Sequence, residues 1–205
     1  MVNLDKEQDK IIESLDAVPT LLLHACCAPC ATWCLKKLAP HFDVTLFYAN
    51  DNILPQAEFE KRFGELEKLV ALVNDKKCDI EAVKPVKLVK KQYDEQVFHT
   101  VACGREDLPE GGQRCFDCYA MRLLKTAEFA NEKFDWFATT LSVSPYKNAN
   151  WLDQIGKAQI TTAKWLPCDF KKKGGYNYTI EFCNKYALYR QHYCGCTPRV
   201  EENLN

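Results

Sequence analysis

The chain of 205 residues has almost no net charge: 27 basic against 28 acidic side chains leave a formal −1. Overall charge therefore gives no argument for a polyanionic partner. Long apolar runs are missing as well. None approaches a membrane span, so no membrane partner is expected. The first twenty residues, opening MVNLDKEQDK, are acidic and polar. They lack the basic-then-apolar layout of a secretory leader, and the expected location is cytoplasmic. No internal repeat, low-complexity tract or inter-domain linker is visible. The length suits one α/β domain over residues 1–205, with a helical C-terminal extension closing over a metal site. A core of that size stands without covalent staples.

Cysteine is what the chain has in excess, with twelve residues. In a reducing compartment they favour metal ligation or redox chemistry over a disulfide scaffold. Their spacing is more informative than their number. Cys26, Cys27 and Cys30 lie near the front, Cys115 and Cys118 mid-chain, and Cys194 and Cys196 flank one glycine near the end. Cys27/Cys30 and Cys115/Cys118 both have the two-residue spacing that wraps one zinc ion. Iron-sulfur clusters accept more varied spacing, including adjacent cysteines, because each iron corner takes one thiolate. A helix start just after Cys27 would favour thiolates through its free N–H groups and dipole. A disulfide across Gly195 would close a small, strained and therefore labile ring. Cys194 and Cys196 thus read as a redox pair or as further metal ligands. Cys34, Cys78, Cys103, Cys168 and Cys183 lack matching partners and read as core or surface thiols.

The apolar pattern predicts alternating strands and helices. Residues 5–17 suit a helix; LLLHA at 21–25 and DVTLFY at 43–48 suit strands. Pro29 fits the first turn of the helix that follows the paired cysteines. A helix over 57–74, a strand near 78–83 and a helix over 94–102 come next. Beyond the PEGGQRC turn, the pattern gives a helix, a strand at 136–141, a helix over 150–163 ending near Gly156, and a last helix over 181–191. This order is the signature of a parallel sheet covered on both faces, with its site at the carboxyl ends of the strands. The expected fold class is α/β: a Rossmann-like (HUP-like) sheet flanked by helices, with a helical C-terminal portion. Lysines concentrate in 76–91 and again in 164–190, where they read as a solvated face or a track for phosphate.

Six blocks in fixed order carry a resemblance over roughly Leu21 to Cys196: HACCAPC (24–30), FYANDNI (47–53), EGGQRCFDCYAMRL (110–123), TTLSVSPYKN (139–148), DFKKKGG (169–175) and YRQHYCGC (189–196). The chain resembles the QueH-type epoxyqueuosine reductases. It departs from them at Asp51, where the family commonly has proline. The resemblance implies removal of the epoxide oxygen of epoxyqueuosine at the wobble position of tRNA, without cobalamin. It implies a [4Fe-4S] cluster on Cys26, Cys27, Cys115 and Cys118, and a redox-active disulfide between Cys194 and Cys196. An adjacent mononuclear iron or zinc is also implied, with Cys30 and Asp117 or Asp51 as candidate ligands. His24 is a candidate proton source, being a side chain that titrates near neutrality. Tyr146, Lys147, Asn148, Lys172, Arg190 and Tyr193 are candidates for holding tRNA, and Arg114 for balancing cluster charge or contacting phosphate. An unidentified electron donor completes the expected partners.

Two other functions compete. Related α/β domains activate tRNA bases with ATP, but they carry a glycine- and serine-rich loop after the first strand. Here Ala25, Cys26, Cys27 and Ala28 stand there. The other is a zinc-stabilised RNA-binding module with no catalysis of its own.

Overall fold

The computed structural model describes residues 3–196. The ends of the expected unit, residues 1–2 and 197–205, lie outside them. Twelve regular elements follow one another: α1 (Leu4–Glu13), β1 (Thr20–His24), α2 (Ala28–Leu38), β2 (Asp43–Tyr48), α3 (Gln56–Asn74), β3 (Lys87–Lys90), α4 (Glu95–Ala102), α5 (Gln113–Ala130), β4 (Trp136–Thr139), α6 (Ala149–Lys157), β5 (Lys164–Trp165) and α7 (Gly175–Tyr186). Short 3₁₀ turns occupy Thr140–Val143 and Lys172–Gly174.

The five strands form one sheet in the order β3-β2-β1-β4-β5, and every pairing is parallel. This is the Rossmann-like order. β1 sits at the centre because Leu21, Leu22 and Leu23 are apolar on both faces and fully buried. Each such side chain contributes about 1.5–3 kcal/mol of transfer free energy. Chain direction across the sheet reverses between β1 and β4, which opens a crevice at their carboxyl ends.

Several expected boundaries move. The strand anticipated at 78–83 is irregular; the third strand is Lys87–Lys90, paired with Thr45–Tyr48. It lies at an edge, so its KLVK sequence needs little apolar character and gives a weak signal. The helix expected over 150–163, interrupted or ended near Gly156, does end beside that glycine, at Lys157, and the two-residue β5 follows. The last helix begins at Gly175, not Glu181. Gly174 turns the chain into it with φ +77°, a conformation glycine adopts without steric cost. It ends at Tyr186, where Ala187 takes a left-handed C-cap conformation. Residues 188–196 therefore run as an irregular strap in place of a helix. That difference puts Arg190 to Cys194 on the wall of the crevice.

Candidate metal and redox centre

β1 ends at His24 and α2 begins at Ala28, so Cys26 and Cys27 occupy the turn between them. Cys27 is the N-cap of α2, with Pro29 in the first turn. The sulfurs of Cys26, Cys27 and Cys30 lie within 4.8 Å of one another. Cys26 Sγ and Cys27 Sγ are 3.5 Å apart. Hydrogen bonds from Cys27 and then Cys30 hold the Cys26 thiol well below its ordinary range despite burial, with Arg122 adding to the pull. Those donors are correspondingly pushed up, Cys27 to about 12. Three thiols packed together beside a helix N-terminus form a donor set suited to a metal, and metal binding would allow all three to ionise.

The second thiol pair also opens a helix. Gly112 caps α5, and Cys115 and Cys118 lie in its first two turns. Both are buried, and the Gly111 N–H donates to Cys115 Sγ at 3.3 Å. They are not members of the three-sulfur group. Arg122 connects the two regions. It is four residues beyond Cys118, hence on the same helical face, and its guanidinium has Cys118, Cys26 and Cys194 as electrostatic neighbours. Burial pushes the Cys118 thiol up to about 11, with Arg122 pulling the other way.

Arg122 also sets the tautomer of His24. Its Nε donates to His24 Nε2 at 3.3 Å, so His24 Nδ1 carries the proton toward Thr139 Oγ1 at 2.9 Å. Burial, then the Arg122 charge, hold the imidazole down to about 3. This corrects the expectation of a histidine titrating near neutrality. His24 is a neutral link between the sheet and Arg122, which Asn50 Oδ1 holds from the other side.

A cavity of about 380 Å³ lies in the crevice. Cys26, Cys30 and Cys194 line it, with Arg62, Arg122 and Lys147 beside them. Of the residues expected to hold substrate, Tyr146, Lys147, Arg190 and Tyr193 also line it. Tyr146 is 70% exposed at the mouth, while Lys147 is only 7% exposed. Asn148 and Lys172 fall outside the lining. The Asn148 side chain caps α6 by accepting from the Asn150 and Trp151 N–H groups. Lys172 is an exposed residue of the 3₁₀ turn.

The two candidate carboxylates are engaged by cations: Asp51 pairs with Lys125 and accepts from Asp94 N, while Asp117 pairs with Arg105 and accepts from Gln113. Arg114 donates to the carbonyls of Arg105 and Glu106, so it fastens the loop before α5. The position by the thiols belongs to Arg122 instead. Sequence reading missed Arg122 and Arg62. The first has a signal in its four-residue spacing from Cys118; the second, on α3, has none. Arg62 is buried, pairs with Glu58 at 2.7 Å and donates to the Cys194 carbonyl at 3.1 Å. Its Nη2 is buried without a hydrogen-bond partner.

A Rossmann-like parallel sheet with a thiol-lined, cation-rich crevice at its switch point defines the class. Comparison with known proteins then places the chain. Residues 21–201 match the family described as Epoxyqueuosine reductase QueH. A protein of that name from Streptococcus pyogenes serotype M1 is 38% identical over 95% of this chain and 77% of its own length. Another from Staphylococcus epidermidis is 38% identical, covering 95% and 83%. One from Thermotoga maritima is 32% identical, covering 86% and 88%. The chain belongs to the QueH family of epoxyqueuosine reductases.

Proposed function

We propose that this protein reduces epoxyqueuosine to queuosine at the wobble position of tRNA, with a [4Fe-4S] cluster and the Cys194/Cys196 dithiol as its redox groups, in a HUP-like fold. The observation that carries this reading is one cavity joining Cys26 and Cys30 to Cys194. The donor set fits an anionic metal group: closely placed thiols, buried Arg122 and Lys147, and an unpartnered Arg62 nitrogen. Buried cations of this kind need compensating negative charge. Cys26, Cys27, Cys115 and Cys118 would hold the cluster. Cys30 would serve an adjacent iron or zinc, with Asp51 or Asp117 released from its ion pair as the carboxylate ligand. When bound, the cluster supplies single-electron transfer.

The chain's own residues supply the rest. The overall step is epoxide plus dithiol giving alkene, water and disulfide. Closing the Cys194–Cys196 bond provides the two electrons that break the carbon–oxygen bonds. Two protons, counted from the dithiol, leave with the oxygen as water. Arg62, Arg122 and Lys147 favour negative charge in the cavity, and so favour the developing alkoxide. Tyr146 at the mouth offers a face for a neighbouring unstacked base. Tyr193 lies inside, backed by Arg62 at 5.1 Å from its ring. Arg190, held by Tyr176 at 2.8 Å, and the exposed Lys172 suit phosphate. Asn148 acts one step back, by starting α6 directly after Lys147. An external donor recharges the dithiol.

Anaerobic incubation with epoxyqueuosine-bearing tRNA and a chemical reductant tests this reading, with nucleosides separated by mass. Queuosine should form without ATP; unchanged epoxyqueuosine with iron-replete protein would refute it. Zinc held tetrahedrally by Cys27, Cys30, Cys115 and Cys118 is the basis of the RNA-binding alternative; of these, Cys27 and Cys30 belong to the three-sulfur group. One zinc per chain with no labile sulfide, after anaerobic isolation, would decide for that alternative.

A further inference from the structure

The two sulfurs around Gly195 do not share one environment. Cys194 lines the substrate cavity, and Lys147 Nζ donates to its Sγ at 3.4 Å. The same ammonium is held by Glu110 Oε1 at 2.5 Å. Cys196 is absent from the cavity lining and packs against the small apolar cluster of Leu54, Phe98, Ala102 and Cys118. The strap is fixed in this orientation. Arg62 holds the Cys194 carbonyl, and Leu54 N–H donates to the Gly195 carbonyl at 2.7 Å. Gly195 has φ +95°, and a Cβ there would meet Arg62 Nη2 at 3.0 Å. A side chain at 195 would disturb this arrangement.

We propose that Lys147 makes the dithiol directional: Cys194 is the sulfur that meets the cavity and the external reductant, and Cys196 is the inward sulfur that closes the ring. This rests on the redox role proposed above. Both cysteines are half-buried; during recharging, a thiolate of an external dithiol attacks the cavity-lining Cys194 sulfur. The Cys194–Cys196 bond breaks, its electron pair leaves on Cys196, and a mixed disulfide forms on Cys194. The donor's second thiolate then attacks its own mixed-disulfide sulfur, closes the donor's disulfide and expels Cys194 as a thiolate beside Lys147. The protein disulfide is reduced, the donor dithiol is oxidised, and Cys196 takes a proton from solvent. A stabilised leaving thiolate speeds that second step. The charges facing Cys194 agree with this assignment. A hydrogen bond from Cys196 lowers its thiol most, burial opposes, Lys147 and Arg122 lower it further, and Glu110 raises it; the balance is about 5. Lys147 itself is held charged: burial acts against its ammonium, but Cys194, Tyr119 and Glu110 outweigh it. It acts as a fixed cation, not a proton shuttle.

The test is alkylation of the anaerobically isolated, reduced holoprotein with iodoacetamide. Each cysteine is followed by peptide mass mapping across pH. Cys194 should react about tenfold faster than Cys196 at pH 6, where an ordinary thiol is almost wholly protonated. Lys147→Gln should move the midpoint of the Cys194 profile up by more than about one pH unit, and Lys147→Arg should restore most of the shift. Glu110 is 43% exposed, and Glu110→Gln should move the midpoint down, which keeps a test in hand if Lys147→Gln does not fold. Cys196→Ser should trap an external thiol on Cys194, whereas Cys194→Ser should trap none on Cys196. Equal labelling, faster labelling of Cys196, or a midpoint indifferent to both Lys147 and Glu110 would overturn the assignment. Labelling is read without substrate. A preserved Cys194 preference in a protein inert toward epoxyqueuosine would refute the function and leave the directionality standing; equal labelling with full turnover would do the reverse.

Discussion

Cys34, Cys168 and Cys183 lie in the packed core, while Cys26 and Cys194 face the cavity from its wall. The core thiols are pushed up by burial, Cys168 and Cys183 to about 11. Cys26 and Cys194 go the other way, because neighbouring thiols and the cations Arg122 and Lys147 outweigh desolvation, whereas Cys30, which also lines the cavity, is pushed up as a donor to Cys26. Cys27 is as buried as Cys168, yet it donates to the sulfur of the adjacent Cys26. Burial therefore does not separate the thiols of the candidate site from the packing ones. What separates them is the charge and hydrogen bonding around the sulfur.

The strongest challenge to this distinction is removal of a cavity-wall thiol. Cys26→Ser should abolish stable iron binding and lower turnover by more than about a hundredfold, since the serine hydroxyl stays protonated where a thiolate is needed. Iron and sulfide analysis alongside the tRNA assay reads both effects. Retained iron with full turnover would place Cys26 among the packing residues. Next comes Arg122→Met. It removes the cation shared by Cys26, Cys118 and Cys194 and leaves His24 and Asn50 without their donor. Breaking a buried charged network of this sort costs about 3–5 kcal/mol, so the melting temperature should fall by roughly 10 °C or more.

The sequence supports some of this more directly than the rest. β1 and β2 are readable because central parallel strands need continuous apolar residues, and LLLH and VTLFY supply them. The start of α2 is readable from Pro29, and the paired thiols from their spacing. β3 is less legible, since an edge strand tolerates KLVK. The strap over 188–196 is hidden because YALYRQHY has the composition of a helix. The helix ends at Ala187, which takes a left-handed conformation. Arg62 and Arg122 are hidden for a different reason. A lone arginine in a helical pattern reads as a solvated face, and its burial against sulfur exists only once α3 and α5 are packed against the sheet. The engagement of Asp51 by Lys125, and of Asp117 by Arg105, likewise needs the tertiary structure.

pH sharpens the comparison on the stabilising side. His24 is buried neutral and its pKa is depressed to about 3 from 6.5. Below 6.5 the unfolded chain takes up a proton that the folded chain refuses. Stability from this residue is therefore complete above pH 6.5 and declines as pH falls toward 3, by about 5 kcal/mol across the window. Denaturant unfolding at several pH values checks it. His24→Gln should flatten that part of the profile, and an unchanged slope would show that His24 is not the group responsible.

The smallest effect falls on the core thiols, and it closes the comparison. Cys168 lies 1% exposed beyond β5, with its sulfur 3.5 Å from the Thr139 carbonyl. Burial sets its state, outweighing the hydrogen bonds of Ser142 and Thr139 and the charge of Lys171. Cys168→Ala removes one sulfur from a packed interior, leaving a small void and the weak hydrogen bonds to Thr139 and Ser142 unmade. The expected cost is about 1–2 kcal/mol of stability. Iron content, Cys194 alkylation and turnover should match those of the unaltered protein. Loss of iron with the fold intact would move Cys168 into the functional set, and the neighbourhood of the sulfur would no longer distinguish the two kinds of cysteine.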